Sequence, residues 1–89
     1  GFFSKLYIFI NIIQNDLHIY PNPTSNYFVI SNLDNYIVHI FDITGSLVKT
    51  QKVKNAGEKI YINDLTNGIY TIKIEQNNTT ITGSINVIK

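Results

Sequence analysis

Apolar and polar residues alternate in short runs along most of this chain. The clearest run is Ile69–Glu75, in which every second residue is apolar. This period of two is typical of a β-strand with one buried face. The run therefore predicts an inward face and an outward face, formed respectively by Tyr70, Ile72 and Ile74 and by Thr71, Lys73 and Glu75.

Similar runs recur between clusters of Asn, Gly, Pro and Ser, which favour turns. The predicted strands are Leu17–Tyr20, Asn26–Ser31, Tyr36–Ile43, Leu47–Val53, Lys59–Asn63, Ile69–Glu75 and Thr79–Lys89. About seven short strands at roughly 8–12-residue intervals are typical of an antiparallel β-sandwich. The run Tyr36–Ile43 is apolar almost throughout, which predicts a strand covered on both sides along part of its length.

Two prolines flank a single asparagine in the stretch YPNPTSNYFVI, Tyr20–Ile30. Proline offers no N–H to a sheet and biases the residue before it towards an extended backbone. Such a segment does not lie in the middle of a sheet. We therefore predict that Pro21-Asn22-Pro23 carries the chain from one sheet edge to another and blunts an exposed edge.

Composition narrows the class of protein. The 89 residues allow at most one domain, and a hydrophobic content of 44% favours a globular fold over disorder. The net charge is +1 and all seven basic residues are lysine, so the basic patch and arginine forks of nucleic-acid binding are missing. Because the sequence has no cysteine, it has no disulfide and no thiolate metal site.

The first residues differ from the rest. Leu6–Ile13 is apolar apart from Asn11, and it is far shorter than the ~20 residues of a membrane-spanning helix, so no transmembrane segment is expected. We interpret residues 1–16 as an apolar upstream linker or an extra strand. Residues 17–89 then form the domain.

Candidates for catalysis are few. His18 and His39 fall inside predicted strands, without cysteine or acidic residues at ligand spacing. Asp42-Ile43-Thr44-Gly45 differs by one residue from the Asp-Thr-Gly of aspartic proteases, and it is also a turn in which Asp and Thr cap and Gly45 adopts positive φ. We expect no catalytic, cofactor or metal site, which leaves a binding, sorting or structural role.

Four stretches carry a family resemblance by their order and spacing. They are LHIYPNPTSNYFVI, VHIFDITGSLVKT, INDLTNGIYTIKI and a final strand ending in INVIK. From about Leu17 to Lys89 the chain resembles the type A C-terminal sorting domain of the type IX secretion system. The resemblance implies an immunoglobulin-like β-sandwich of seven strands. The family's motif residues correspond to Pro21, Asn22, Pro23, Asp42, Gly45, Leu65, Gly68, Ile69, Tyr70 and Lys89.

The resemblance also implies a function. Such a domain is a non-catalytic signal that directs an upstream passenger through the periplasm and across the outer membrane of certain Gram-negative bacteria. Its implied partners are an outer-membrane translocon and a sortase-like protease, after which the passenger is attached to the cell surface or released. Cleavage is expected upstream of Leu17. The expected contacts with the machinery are the exposed residues Lys73, Glu75, Asn86 and Lys89.

Two other functions stay open at the level of sequence. An immunoglobulin-like module of a cell-surface protein would bind carbohydrate or protein, with outward tyrosines such as Tyr36 and Tyr61 stacking on sugars. A contiguous exposed aromatic platform would favour it. A structural spacer would show neither export nor binding.

Overall fold

Seven strands in two antiparallel sheets build the domain in a computed structural model, which describes residues 17–89. The strands are β1 Ile19–Tyr20, β2 Tyr27–Ile30, β3 Tyr36–Phe41, β4 Leu47–Val53, β5 Ile60–Tyr61, β6 Gly68–Gln76 and β7 Thr79–Val87. The predicted all-β sandwich is confirmed. The interpretation of residues 1–16 as a linker or extra strand lies outside the described residues.

The smaller sheet has the order β1-β2-β5 and the larger sheet the order β4-β3-β6-β7. In immunoglobulin lettering these correspond to strands A, B and E facing strands C, F and G. The remaining strand, β4, pairs with β3 in the larger sheet rather than with β5. This order leaves β4 and β7 at the edges of the larger sheet. Among residues 17–89, no helix is long and apolar enough to cross a membrane.

The core lies between the two sheets and is built from alternate residues of facing strands. In β6 the predicted inward residues Tyr70, Ile72 and Ile74 are buried, and the predicted outward ones are exposed. The largest fully buried side chains are those of Phe28, Ile30, Val38, Ile40, Val53, Ile60, Ile62, Ile72, Ile74, Ile85 and Val87. β-branched side chains pack well on a pleated surface, which explains the dominance of Ile and Val in this core.

Strand β3 differs from its prediction. It alternates between buried and half-buried residues and ends at Phe41. Ile43 lies beyond the strand, in the β3–β4 loop, and its side chain is exposed. The expected cover on both sides was wrong because only one side of β3 faces the smaller sheet. Its apolar residues on the other side, Ile37 and Phe41, are half-buried within the outer surface of the larger sheet.

The predicted change of sheet edge at Pro21-Asn22-Pro23 is confirmed. Before the prolines, β1 pairs with β2 in the smaller sheet. After them, Thr24 forms a parallel bridge with Val87 of β7, at the edge of the larger sheet. The Thr24 N–H donates to the Asn86 carbonyl (2.9 Å), and the Ile88 N–H donates to the Thr24 carbonyl (2.9 Å). The segment thus closes one lateral seam of the sandwich.

The opposite edge of the larger sheet carries features that discourage pairing with another chain. The register between β3 and β4 shifts at Ile40/Phe41, which marks a β-bulge. Lys49 pairs with the core residue Ile40 and so points inward from the edge strand. Its Nζ lies 4.0 Å from Oδ1 of Asp64. An inward-pointing charge on an edge strand opposes the docking of a further strand.

Candidate functional site

Strand pairing gathers the predicted motif residues at one end of the sandwich. Gly68 at the start of β6 lies opposite Val87 at the end of β7, and Phe41 at the end of β3 lies opposite Thr71. Because Thr24 also pairs with Val87, the proline segment reaches the same end. We define the motif end as residues 20–26, 41–48, 61–70 and 86–89. All the predicted motif residues lie within it.

The β3–β4 loop of the motif end is organised by the carboxylate of Asp42. Its Oδ1 accepts hydrogen bonds from the Thr44 N–H (2.9 Å), the Thr44 hydroxyl (2.6 Å) and the Ser46 N–H (3.0 Å). The Gly45 N–H donates to the Asp42 carbonyl (3.0 Å), and Gly45 has φ of 89°. The predicted capped turn with a positive-φ glycine is confirmed, which makes the role of Asp42 conformational.

These hydrogen bonds set the charge state of Asp42. The hydroxyl of Thr44 first, and then the Ser46 N–H, hold the pKa of the carboxyl below its ordinary value. A depressed folded-state pKa means that ionised Asp42 stabilises the folded state at pH values above the pKa of the unfolded chain, ~3.9. That contribution is lost as the pH falls through the folded-state pKa.

Asp42→Asn is therefore expected to lower the melting temperature at pH 7, because a neutral amide oxygen accepts weaker hydrogen bonds than a carboxylate. The difference from the parent should narrow as the pH falls through the lowered folded-state pKa of Asp42, where the parent's carboxylate itself becomes protonated. Thermal unfolding across this pH range measures it. Asp34→Asn serves as the matched control and should track the parent throughout. A constant difference between Asp42→Asn and the parent at all pH values would contradict the assignment.

The β5–β6 loop is fixed by Tyr70. Its hydroxyl donates to the Thr66 carbonyl (2.7 Å), four residues upstream. This arrangement is the tyrosine corner of immunoglobulin-like sandwiches. The sequence predicted only that Tyr70 would be in the core, because the hydroxyl's partner depends on how the loop turns back. Leu65 of the same loop is buried.

Asn67-Gly68 belongs to this loop and lies where the chain crosses from the smaller sheet to the larger sheet. The dipeptide favours tight hairpin turns. Here the loop joins β5 of the smaller sheet to β6 of the larger one, and Gly68 opens β6 with φ of 154°. Gly68 therefore serves a change of sheet rather than a hairpin.

Lys89 joins the end of β7 to that same loop. Its backbone N–H donates to Oδ1 of Asn67 (3.0 Å) and its Nζ donates to the carbonyl of Asn63 (2.7 Å). Asn22 makes a comparable link from the proline segment, accepting a hydrogen bond from the Asn86 N–H through its Oδ1 (3.0 Å). Both side chains act as braces across the motif end.

Ile69 stands apart among the motif residues, because its side chain is 59% exposed and contributes little to the core. Other exposed apolar side chains at this end are those of Ile43, Leu47 and Ile88. All the large exposed hydrophobic residues of the described chain lie in the motif end: Tyr20, Ile43, Leu47, Val48, Tyr61, Ile69 and Ile88. Exposed apolar side chains concentrated at one end of a domain mark a candidate interaction surface.

The two histidines do not meet. His39 lies on the outer face of the larger sheet, where Nδ1 is 3.2 Å from the Thr50 hydroxyl and Nε2 is 3.0 Å from Oε1 of Glu75. His18 precedes β1 in the smaller sheet. No group of three or more His, Asp or Glu side chains in residues 17–89 is placed to hold a metal ion.

The two tyrosines expected to face outward differ. Tyr61 is exposed, but Tyr36 is buried, with 2% of its surface accessible. Burial, followed by the charge of Glu58, raises the pKa of Tyr36 to about 12. The expectation for Tyr36 was wrong, because the nearly continuous apolar run around it does not show which face of β3 points inward.

Comparison with known proteins gives the family. Residues 18–89 match the secretion system C-terminal sorting domain, a span that includes all seven strands. A comparison with curated proteins found no match. The members of this family are in general non-catalytic signals. The chain belongs to the C-terminal sorting domains of the type IX secretion system, which direct proteins to secretion or to the cell surface.

Proposed function

We propose that residues 17–89 are the sorting unit and direct an upstream passenger from the periplasm through the outer-membrane translocon. A sortase-like protease then cleaves upstream of Leu17, and the passenger is attached to the surface or released. In this proposal the domain is a sorting signal and not an enzyme. Packing supports the boundary: a Cβ added to Gly83 of β7 would lie 3.2 Å from Leu17 Cδ1, so Leu17 already packs against the sandwich.

We propose that the secretion machinery recognises this domain by binding its motif end. The observation that carries this is the position of Ile69. The other motif residues shape turns, fill core or brace the loops, whereas Ile69 presents an apolar side chain to solvent. An exposed apolar side chain that a partner can bury contributes binding free energy at an interface in proportion to the apolar surface removed from water.

The contacts expected from the sequence divide between two surfaces. Asn86 and Lys89 belong to the motif end. Lys73 and Glu75 lie further along the outer face of the larger sheet, and Glu75 is engaged with His39. Their contact with the secretion machinery stays a prediction, which the variants described in the Discussion separate from the motif end.

A fusion experiment tests the sorting function. Residues 17–89 fused to a periplasmic reporter should bring the reporter to the surface of a bacterium that has the type IX system. Deletion of residues 86–89 should trap it in the periplasm, since this deletion removes exposed Ile88 and the contacts of Asn86 and Lys89 with the proline segment and the β5–β6 loop. Protease protection of the reporter in intact cells is the measurement. A reporter that stays periplasmic with a folded, intact domain would end the proposal.

A further inference from the structure

Three tyrosines share the outer face of the smaller sheet. Tyr27 lies directly opposite Tyr61 in the pairing of β2 with β5, and Tyr20 lies opposite Val29 in the pairing of β1 with β2. Phe28 and Ile30, the alternate residues of β2, point into the core, so these tyrosines point away from it. We define the tyrosine face as Tyr20, Tyr27, Val29, Lys59 and Tyr61.

The rings of this face are held in a defined arrangement. The ring centroids of Tyr27 and Tyr61 are 6.1 Å apart with an interplanar angle of 63°, an edge-to-face contact. The Lys59 Nζ lies 4.8 Å from the centroid of the Tyr27 ring. Val29 is nearly buried between them, whereas Tyr20 is 54% and Tyr61 is 47% exposed. The face thus offers rigid aromatic surface that needs little ordering on binding.

The charge on this face is positive. Lys59 directly precedes β5, and the strands of the smaller sheet themselves contain no charged residue. The nearest acidic residues along the chain are engaged elsewhere: Glu58 accepts a hydrogen bond from the Lys54 N–H (3.1 Å), and Asp64 lies beside Lys49. Among residues 17–89, no carboxylate lies within ion-pair distance of Lys59, and a positive side chain of this kind favours an anionic ligand.

We propose that the tyrosine face binds an acidic saccharide. The C–H face of one pyranose ring stacks on the exposed ring of Tyr61 or Tyr20, while the sugar carboxylate pairs with Lys59. Tyrosine suits this task because its apolar ring stacks while its hydroxyl stays hydrated. Five side chains are too few for a stable protein interface, which uses roughly 20–30 residues on each side. We therefore assign Tyr20 and Tyr61 to the saccharide and not to the surface proposed for the secretion machinery. This binding activity is additional to sorting.

A titration of the full chain with trigalacturonic acid tests the proposal, with the neutral galactose trimer as the matched ligand. Backbone amide NMR shifts in β1, β2 and β5 should move with both sugars, and the acidic sugar should bind about two- to fivefold more tightly than the neutral one because only it has a carboxylate to pair with Lys59. Tyr61→Ala should weaken binding by about tenfold, since aromatic contacts contribute on that scale. Lys59→Gln should weaken it about two- to fivefold, as expected for an exposed charge pair.

Two control variants make the outcome decisive. Tyr61→Phe keeps the ring and should keep the affinity, whereas Lys73→Gln removes a lysine from the other sheet and should change nothing. The proposal is overturned by no shift in the smaller sheet, by equal binding of the neutral sugar, or by equal losses in Lys59→Gln and Lys73→Gln. The assay involves no export, so its result is independent of the sorting proposal.

Discussion

A passenger fused to residues 17–89 is expected to stay inside the cell when Ile69 and Ile88 are both replaced by threonine. Both side chains are more than half exposed at the motif end, so the substitutions remove surface that a partner would bury. Truncation of a hot-spot side chain costs ~2 kcal/mol of binding free energy, about thirtyfold in affinity for each residue. Threonine keeps the β-branched shape that suits an extended backbone, so the fold should persist.

Three measurements together make this result interpretable. Protease protection in intact cells reports where the reporter is, while the melting temperature and circular dichroism of the purified domain report whether it is folded. Lys73→Thr combined with Glu75→Thr places the same residue type on the outer face, away from the motif end. If this outer-face variant traps the passenger and the isoleucine variant does not, the recognised surface lies along β6 and the motif end is the wrong assignment.

The features predicted well from the sequence are those set by neighbouring residues. In β6 strict alternation identifies both the strand and its buried face, because successive side chains point to opposite sides. The turn at Asp42 was equally local, since its carboxylate binds residues two and four positions further on. In β3 the same reasoning failed for Tyr36, because a run that is apolar at nearly every position gives no preference between the two faces.

The gathering of the motif residues could not be predicted from local pattern. Asn22 and the Asn86 N–H, which meet across the motif end, are 64 positions apart in the chain. Lys89 and Asn63 are 26 apart. Such contacts depend on which strands pair and in what register, and hydrophobic pattern alone does not determine this. The tyrosine face is a further case, since Tyr20, Tyr27 and Tyr61 become neighbours only when β1, β2 and β5 form one sheet.

Gly68→Val is expected to cost ~1–3 kcal/mol of unfolding free energy, the usual cost of a side chain in a backbone region that glycine occupies almost alone. Gly68 has φ of 154° where the chain enters β6. A loss of 1 kcal/mol lowers the melting temperature by roughly 4–8 °C in a domain of this size. Chemical and thermal unfolding of the variant beside the parent provide the measurement.

Gly68→Ala separates backbone strain from crowding. A Cβ added at Gly68 would meet only Cε1 of Tyr70, at 3.9 Å, which is ordinary contact, so space is available for a side chain. If backbone conformation sets the cost, alanine should already destabilise by ~1–3 kcal/mol. If crowding sets it, alanine should stay close to the parent and only valine should destabilise. Ile69→Val, at the next position in extended backbone, is the matched control and should stay close to the parent. If both Gly68 variants unfold at the same temperature and denaturant concentration as the parent, the start of β6 tolerates a side chain. The positive-φ assignment of Gly68 would then be wrong.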